Sequence, residues 1–117
     1  MTTKDVIQSY FSSLQQKRGW EEFLTEDLVF TSFVSPNKQV RGRAAYLEST
    51  KRFFAMIASV EVRDLLTDGS KACALTRYEL RRPDGATFVS DVAEIFAVRE
   101  GRISSLGIYF DSAPFPK

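Results

Sequence analysis

An α+β domain, helical in its front half and a long antiparallel meander in its back half, is what this 117-residue chain predicts. Three observations carry the prediction. The turn dipeptides Asp68-Gly69, Asp84-Gly85 and Glu100-Gly101 recur at sixteen-residue spacing, and acidic-Gly pairs between apolar runs mark hairpins. Between them apolar, aromatic and β-branched residues alternate with a period near two, as strands with one buried face do. Ahead of them apolar residues recur at three- and four-residue spacing, the period of amphipathic helices.

The elements follow in chain order. Thr2 and Asp5 form a capping pair before Val6, Ile7, Tyr10, Phe11 and Leu14, the buried stripe of a first helix. Lys17-Arg18-Gly19 ends that helix, the cations complementing its dipole and Gly19 taking the left-handed closing conformation. A short second helix holds Trp20, Phe23 and Leu24. Residues 28–34, rich in Val, Phe and Thr, predict a first strand with Leu28, Phe30, Ser32 and Val34 on one face, stopped by Pro36-Asn37. After Gly42 a third helix places Tyr46, Leu47, Thr50, Phe53, Phe54 and Ile57 on one broad face. The meander strands are expected at 59–66, 71–82, 86–99 and 102–112, with a short tail from Ala113. A strand of about twelve residues spans roughly 40 Å, too long to stay flat, so strong twist or bulges and a curled sheet are expected.

Composition narrows the chemistry. One domain of this length suffices for a single core. With 16 Lys+Arg against 15 Asp+Glu, the net charge of +1 offers no broad attraction for nucleic acid. The polar N-terminus predicts no signal peptide, no apolar run predicts a membrane span, and the lone Cys73 suits a reducing compartment, so a cytoplasmic protein is expected. The chain contains no histidine. Ser-His-Asp and Cys-His pairs are therefore excluded, as are metal sites built on imidazole. Proton transfer falls to carboxylates, tyrosine, lysine or water, and neither a metal nor a cofactor is expected.

Among the candidates, Glu94 stands between Val92 and Phe96 on a face shared with Phe88 and Ser90. A carboxyl among apolar neighbours has its pKa raised or finds a partner, here Arg77 or Tyr10. Arg77 and Glu79 share a strand face with Cys73 and Leu75; they form a solvated pair or, turned inward, anchor a polar group or a water. Tyr10 fits a core tyrosine with its hydroxyl at the boundary. Trp20, Tyr46, Phe53, Phe54, Phe96 and Phe110, beside Phe30, are candidates to line a pocket for a flat apolar ligand, although ten phenylalanines must mostly be core. Cys73 reads as a small buried hydrophobe. Asp91 and Asp111 are expected on the outer sheet face.

The order of helix, short helix, strand, helix and four long strands resembles the nuclear transport factor 2-like superfamily, especially its SnoaL-like and ketosteroid-isomerase-like members. The residues that carry the likeness are Val6 to Tyr10, Trp20 to Phe30, Gly42, and Ile103 to Phe115. The resemblance implies a cystatin-like α-β roll, in which a strongly curved, mainly antiparallel sheet wraps as a cone around three N-terminal helices and encloses an apolar cavity. It also implies a homodimer through the outer sheet face, and a small hydrophobic molecule as ligand. By analogy with the ketosteroid isomerases, Tyr10 and Glu94 fall at the tyrosine and protonated acid of an oxyanion hole, while Ser32 occupies the position of the base. By analogy with the limonene-epoxide-hydrolase-like proteins, Arg77-Tyr78-Glu79 stands for an Arg-x-Asp pair, and Ile108 for an aspartate on the last strand. The expectation is a small-ligand protein: an isomerase, cyclase or hydratase of a carbonyl or hydroxyl compound, or else a non-catalytic dimeric binding or protein-interaction module.

Overall fold

The computed structural model describes residues 1–34 and 38–113. Helix α1 (Thr3–Gln15) leads through a 3-10 turn (Trp20–Phe23) to strands β1 (Leu24–Ser32) and β2 (Lys38–Arg41). Helix α2 (Arg43–Met56) and strands β3 (Ile57–Asp68), β4 (Lys71–Arg81), β5 (Thr87–Arg99) and β6 (Arg102–Phe110) follow. The strands form one open sheet in the order β2-β1-β6-β5-β4-β3. Every pairing is antiparallel except β1 beside β6. The α+β prediction and the four-strand meander hold.

Local chemistry explains where elements begin and end. Thr2 Oγ1 accepts from the Asp5 N–H at 3.1 Å and Asp5 Oδ2 accepts from the Thr2 N–H at 3.1 Å, a complete capping box. Between β5 and β6, Glu100 at φ 52° and Gly101 at φ 78° supply the two left-handed residues of a tight hairpin turn. Burial along β4 alternates strictly from Lys71 to Arg81, so one face of the meander meets the core. The length of β3 is relieved by register shifts between Ile57 and Ser59 and between Val62 and Asp64, the bulges that a curled sheet needs. Against the inner face, α1 lies over β3 and β4 while α2 lies over β1 and β2.

Several details differ from the sequence-based expectation. There are two α-helices rather than three, because Trp20–Phe23 makes only a four-residue 3-10 turn, entered from Gly19 at φ 79°. Helix α1 ends at Gln15, so Lys17 and Arg18 lie beyond its last turn, and Lys17 itself takes φ 61°. Ile57 opens β3 instead of closing α2. Strand β1 starts at Leu24, with an irregular register against β6 between Leu24 and Val29. Strand β2 was not foreseen: four residues with no buried member carry no alternation signal. Cys73 is half-buried on the outer face rather than in the core. The stop at Pro36-Asn37 and the tail beyond Ala113 fall outside the described residues.

On the outer face, a Cβ at Gly107 would stand 2.7 Å from Phe33 Cε2; the missing side chain lets Phe33 lie on the sheet and stack on Tyr109 at 4.7 Å between ring centres. Among the described residues no helix is long and apolar enough to cross a membrane.

Candidate functional site

The period-two alternation of three neighbouring strands points one set of side chains at the helices. From β5 come Ser90, Val92 and Glu94, from β4 Tyr78, and from β6 Leu106, Ile108 and Phe110. Strand β1 adds Phe30 and Ser32, α1 adds Tyr10, and α2 adds Tyr46, Ser49, Thr50, Phe53 and Phe54. Together they bound a cavity of about 220 Å³. Its wall is aromatic and aliphatic with a few convergent hydroxyls around one carboxyl, the usual composition of a small-molecule pocket.

Glu94 is the chemical centre of that wall, only 4 % exposed. Its Oε2 accepts from the Tyr78 hydroxyl at 2.7 Å and from Thr76 Oγ1 at 2.8 Å. Both of these bonds fall on Oε2, and the carboxyl itself lines the cavity. Burial pushes the Glu94 carboxyl up to about 7, against the opposing pull of the Tyr78 and Thr76 hydroxyls. Both protonation states are therefore populated near neutrality. Thr76 Oγ1 also lies 3.1 Å from the Val92 carbonyl oxygen, so its one proton has two acceptors. With the carboxylate ionised it donates to Glu94; with Oε2 protonated it can accept from Glu94 and donate to Val92 instead.

Three tyrosines surround this carboxyl. Burial first, and the Glu94 charge among the further causes, hold Tyr10, Tyr46 and Tyr78 above the ordinary phenol range. All three stay protonated at neutral pH; the Tyr78 hydroxyl donates to Glu94, and those of Tyr10 and Tyr46 are hydrogen-bonded to each other. Ser90 adds a fourth hydroxyl; its Oγ is buried and has no hydrogen-bond partner among the described residues. Left unpaired, such a group costs about 1–3 kcal/mol.

The residues singled out from the sequence separate into three places. Glu94, Tyr10, Phe30, Ser32, Tyr46, Phe54, Ile108 and Phe110 all line the cavity. Trp20 and Phe96 stand behind it: Trp20 packs on Phe54 at 4.3 Å and edge-on to Tyr10 at 6.5 Å, and Phe96 meets Tyr10 and Phe11 edge-on at 5.8 Å each. Arg77 and Glu79 point the other way, exposed on the outer face. There Arg77 Nε and Nη2 donate to the two Asp91 carboxylate oxygens at 2.7 and 3.1 Å, a solvated pair of small energetic worth. The reason is alternation: Thr76, Tyr78 and Leu80 take the inward positions of β4, so Arg77 and Glu79 cannot. Neither Arg77 nor Tyr10 is hydrogen-bonded to Glu94; Tyr78 and Thr76 are. The signal for them was the hairpin centred on Asp84, which pairs Thr76 with Val92 and Tyr78 with Ser90 and so sets both hydroxyls on the face that carries Glu94.

Comparison with known proteins agrees with this architecture. A family model described as a SnoaL-like domain matches residues 7–106. Among solved structures, a nuclear transport factor 2-like protein of unknown function from Cytophaga hutchinsonii is 19% identical, with a TM-score of 0.76 over 97% of this chain and 94% of that one. A protein from Bacillus subtilis provisionally named an isomerase is 18% identical, with a TM-score of 0.78 over 93% and 86% of the two chains. One from Jannaschia provisionally named a SnoaL-like polyketide cyclase is 14% identical, with a TM-score of 0.78 over 93% and 85%. At these identities the likeness is one of fold. No curated protein matches the chain.

Proposed function

The chain belongs to the SnoaL-like domain family, and from that premise we propose that its cavity binds a small apolar carbonyl or hydroxyl compound and moves a proton on it, as an isomerase, cyclase or hydratase does. One observation carries this reading: a buried carboxyl, its pKa raised to about 7 by burial, lines an apolar cavity and takes both its hydroxyl partners on one oxygen. A proton-transfer group works best when its pKa lies near the operating pH. The ionised fraction of Glu94 takes a proton from the ligand, and the protonated carboxyl returns it to another atom of the same ligand, so protons balance without a second carboxylate. The hydrogen-bonded pair of Tyr10 and Tyr46 supplies the donor to the ligand oxygen on which negative charge develops. The provisional names of the Bacillus subtilis and Jannaschia structures belong to the same reaction classes.

A panel of cyclic enones and hydroxy ketones, followed by absorbance, tests the reading. Glu94→Gln keeps the shape and the Tyr78 hydrogen bond but cannot carry the proton, so turnover is expected to fall by about 10²-fold or more. Turnover unchanged by Glu94→Gln would end the role given to Glu94. Binding without turnover is the second reading, and what favours it is that Ser32 on β1 and Ile108 on β6, which line the cavity, are the residues the family resemblance puts at the positions of a base and of a water-activating aspartate, and neither is a carboxylate. A panel that binds but never turns over decides for it.

The outer sheet face supports a homodimer as part of the same proposal. Paired rows run from Leu66 through Cys73 to Ile95 and from Leu75 through Ala93 to Tyr109. Leu66, Leu75, Ile95 and Tyr109 are between 41% and 58% exposed. A contiguous apolar face of this kind marks an interaction surface. Sedimentation is expected to give twice the 13.3 kDa chain mass, and Leu75→Arg is expected to shift the equilibrium to monomer with the fold intact. A monomer at high micromolar concentration in the unmutated protein would refute the dimer.

A further inference from the structure

We propose, resting on the reading of the cavity above, that its ligand is an uncharged compound of one or two fused rings with two oxygen functions, one held at Glu94 and Tyr10 and the other at Ser90. Charge, size and the placing of hydroxyls each contribute. No lysine or arginine lines the cavity among the described residues, and its one carboxyl is Glu94. An anionic ligand would be buried beside that carboxyl with no counter-charge, which is costly. The hydroxyls of Tyr10 and Tyr46 are hydrogen-bonded to each other, which leaves one of their two protons for a neutral oxygen acceptor.

Size limits the ring count. A cavity of about 150 Å³ holds benzene, so about 220 Å³ leaves room for roughly one more ring and not for an extended polycycle. Shape follows from the register. Ser90 and Glu94 lie four residues apart on the inward face of β5, which separates their Cα atoms by roughly 13 Å. Tyr78 is the cross-strand partner of Ser90, yet its hydroxyl reaches Glu94 Oε2 at 2.7 Å. Its ring therefore runs lengthwise between the two poles, and Phe30, Phe53 and Phe54 border the same space. A flat ligand lying along Tyr78 with one oxygen at Glu94 brings its far end to Ser90. The buried Oγ there has no partner among the described residues, and buried hydroxyls are rarely left so. A second ligand oxygen satisfies it.

The test measures dissociation constants by fluorescence at pH 6 for four naphthalene probes: a mono-ol, the diol with hydroxyls at opposite ends, the carboxylate and the aminomethyl compound. Each is measured on the unmutated protein and on Ser90→Ala, with thermal unfolding as the check that the variant is folded. The diol is expected to bind about two- to tenfold tighter than the mono-ol, one hydrogen bond's worth, and Ser90→Ala is expected to bring that ratio to about one. The carboxylate is expected to bind at least about tenfold more weakly than the mono-ol. A diol with no advantage, or an advantage that survives Ser90→Ala, overturns the second pole, as a water at Ser90 would. Tighter binding of either charged probe overturns the neutral ligand. If the mono-ol binds while the diol gains nothing, this inference fails and the small-ligand cavity stands; if no probe binds, both fail.

Discussion

Glu94→Gln is expected to stabilise the protein at pH 8 by about 3 kcal/mol and to change it little at pH 4. The folded-state carboxyl titrates at about 7 against an ordinary 4.5 because it is buried. Between those values the folded protein binds more protons than the unfolded chain, so stability falls as pH rises and levels off above the folded pKa. Two and a half pH units at about 1.4 kcal/mol each give the figure. Glutamine removes the titration and retains an acceptor for Tyr78, which still donates at the cavity wall. In thermal unfolding the variant should lead by roughly 10 °C at pH 8, and the two curves should converge towards pH 4. Parallel curves across that range would mean that Glu94 is not titrating near neutrality, and the proton-transfer reading would lose its basis.

Phe96→Ala is expected to cost about 3–5 kcal/mol in denaturant unfolding. Phe96 is 1 % exposed and touches both Tyr10 and Phe11 edge-on at 5.8 Å, so its removal leaves a hole in close-packed surroundings. A phenylalanine facing the existing cavity would cost less, because open space already lies on one side of it. A loss below about 1 kcal/mol would therefore return Phe96 to the cavity wall. The same substitution removes the support behind Tyr10, and any ligand affinity that depends on the Tyr10 hydroxyl should weaken with it.

Much of the architecture was legible in the residues. The three turn dipeptides locate the meander because acidic-Gly pairs take the backbone conformations that hairpins demand, and β4 and β5 follow within a residue or two. The inward face of β5 was legible as well: Glu94 alternates with Val92, Phe96 and Ser90, and all four are buried. The capping box of Thr2 and Asp5 is a local device and was read locally. The misses have physical causes. Strand β2 is too short and too exposed to carry a period. Strand β4 alternates cleanly, yet alternation alone does not say which face turns inward. Arg77 and Glu79 were thus candidates for the cavity while Thr76 and Tyr78, the actual neighbours of Glu94, went unmarked.

By itself, then, the sequence determined the order of elements, the turns and the two faces of each strand, because these depend on a residue and its near neighbours along the chain. Only the tertiary structure decided which face of β4 encloses the cavity, which hydroxyls reach Glu94, and which aromatic rings line open space. Tyr10 and Phe96 are equally buried aromatics, yet one borders the cavity and the other fills the space behind it. That difference is a remainder of packing: the curvature of β3 to β6 and the seating of α1 and α2 fix what volume the side chains leave unfilled, and no short stretch of residues encodes it.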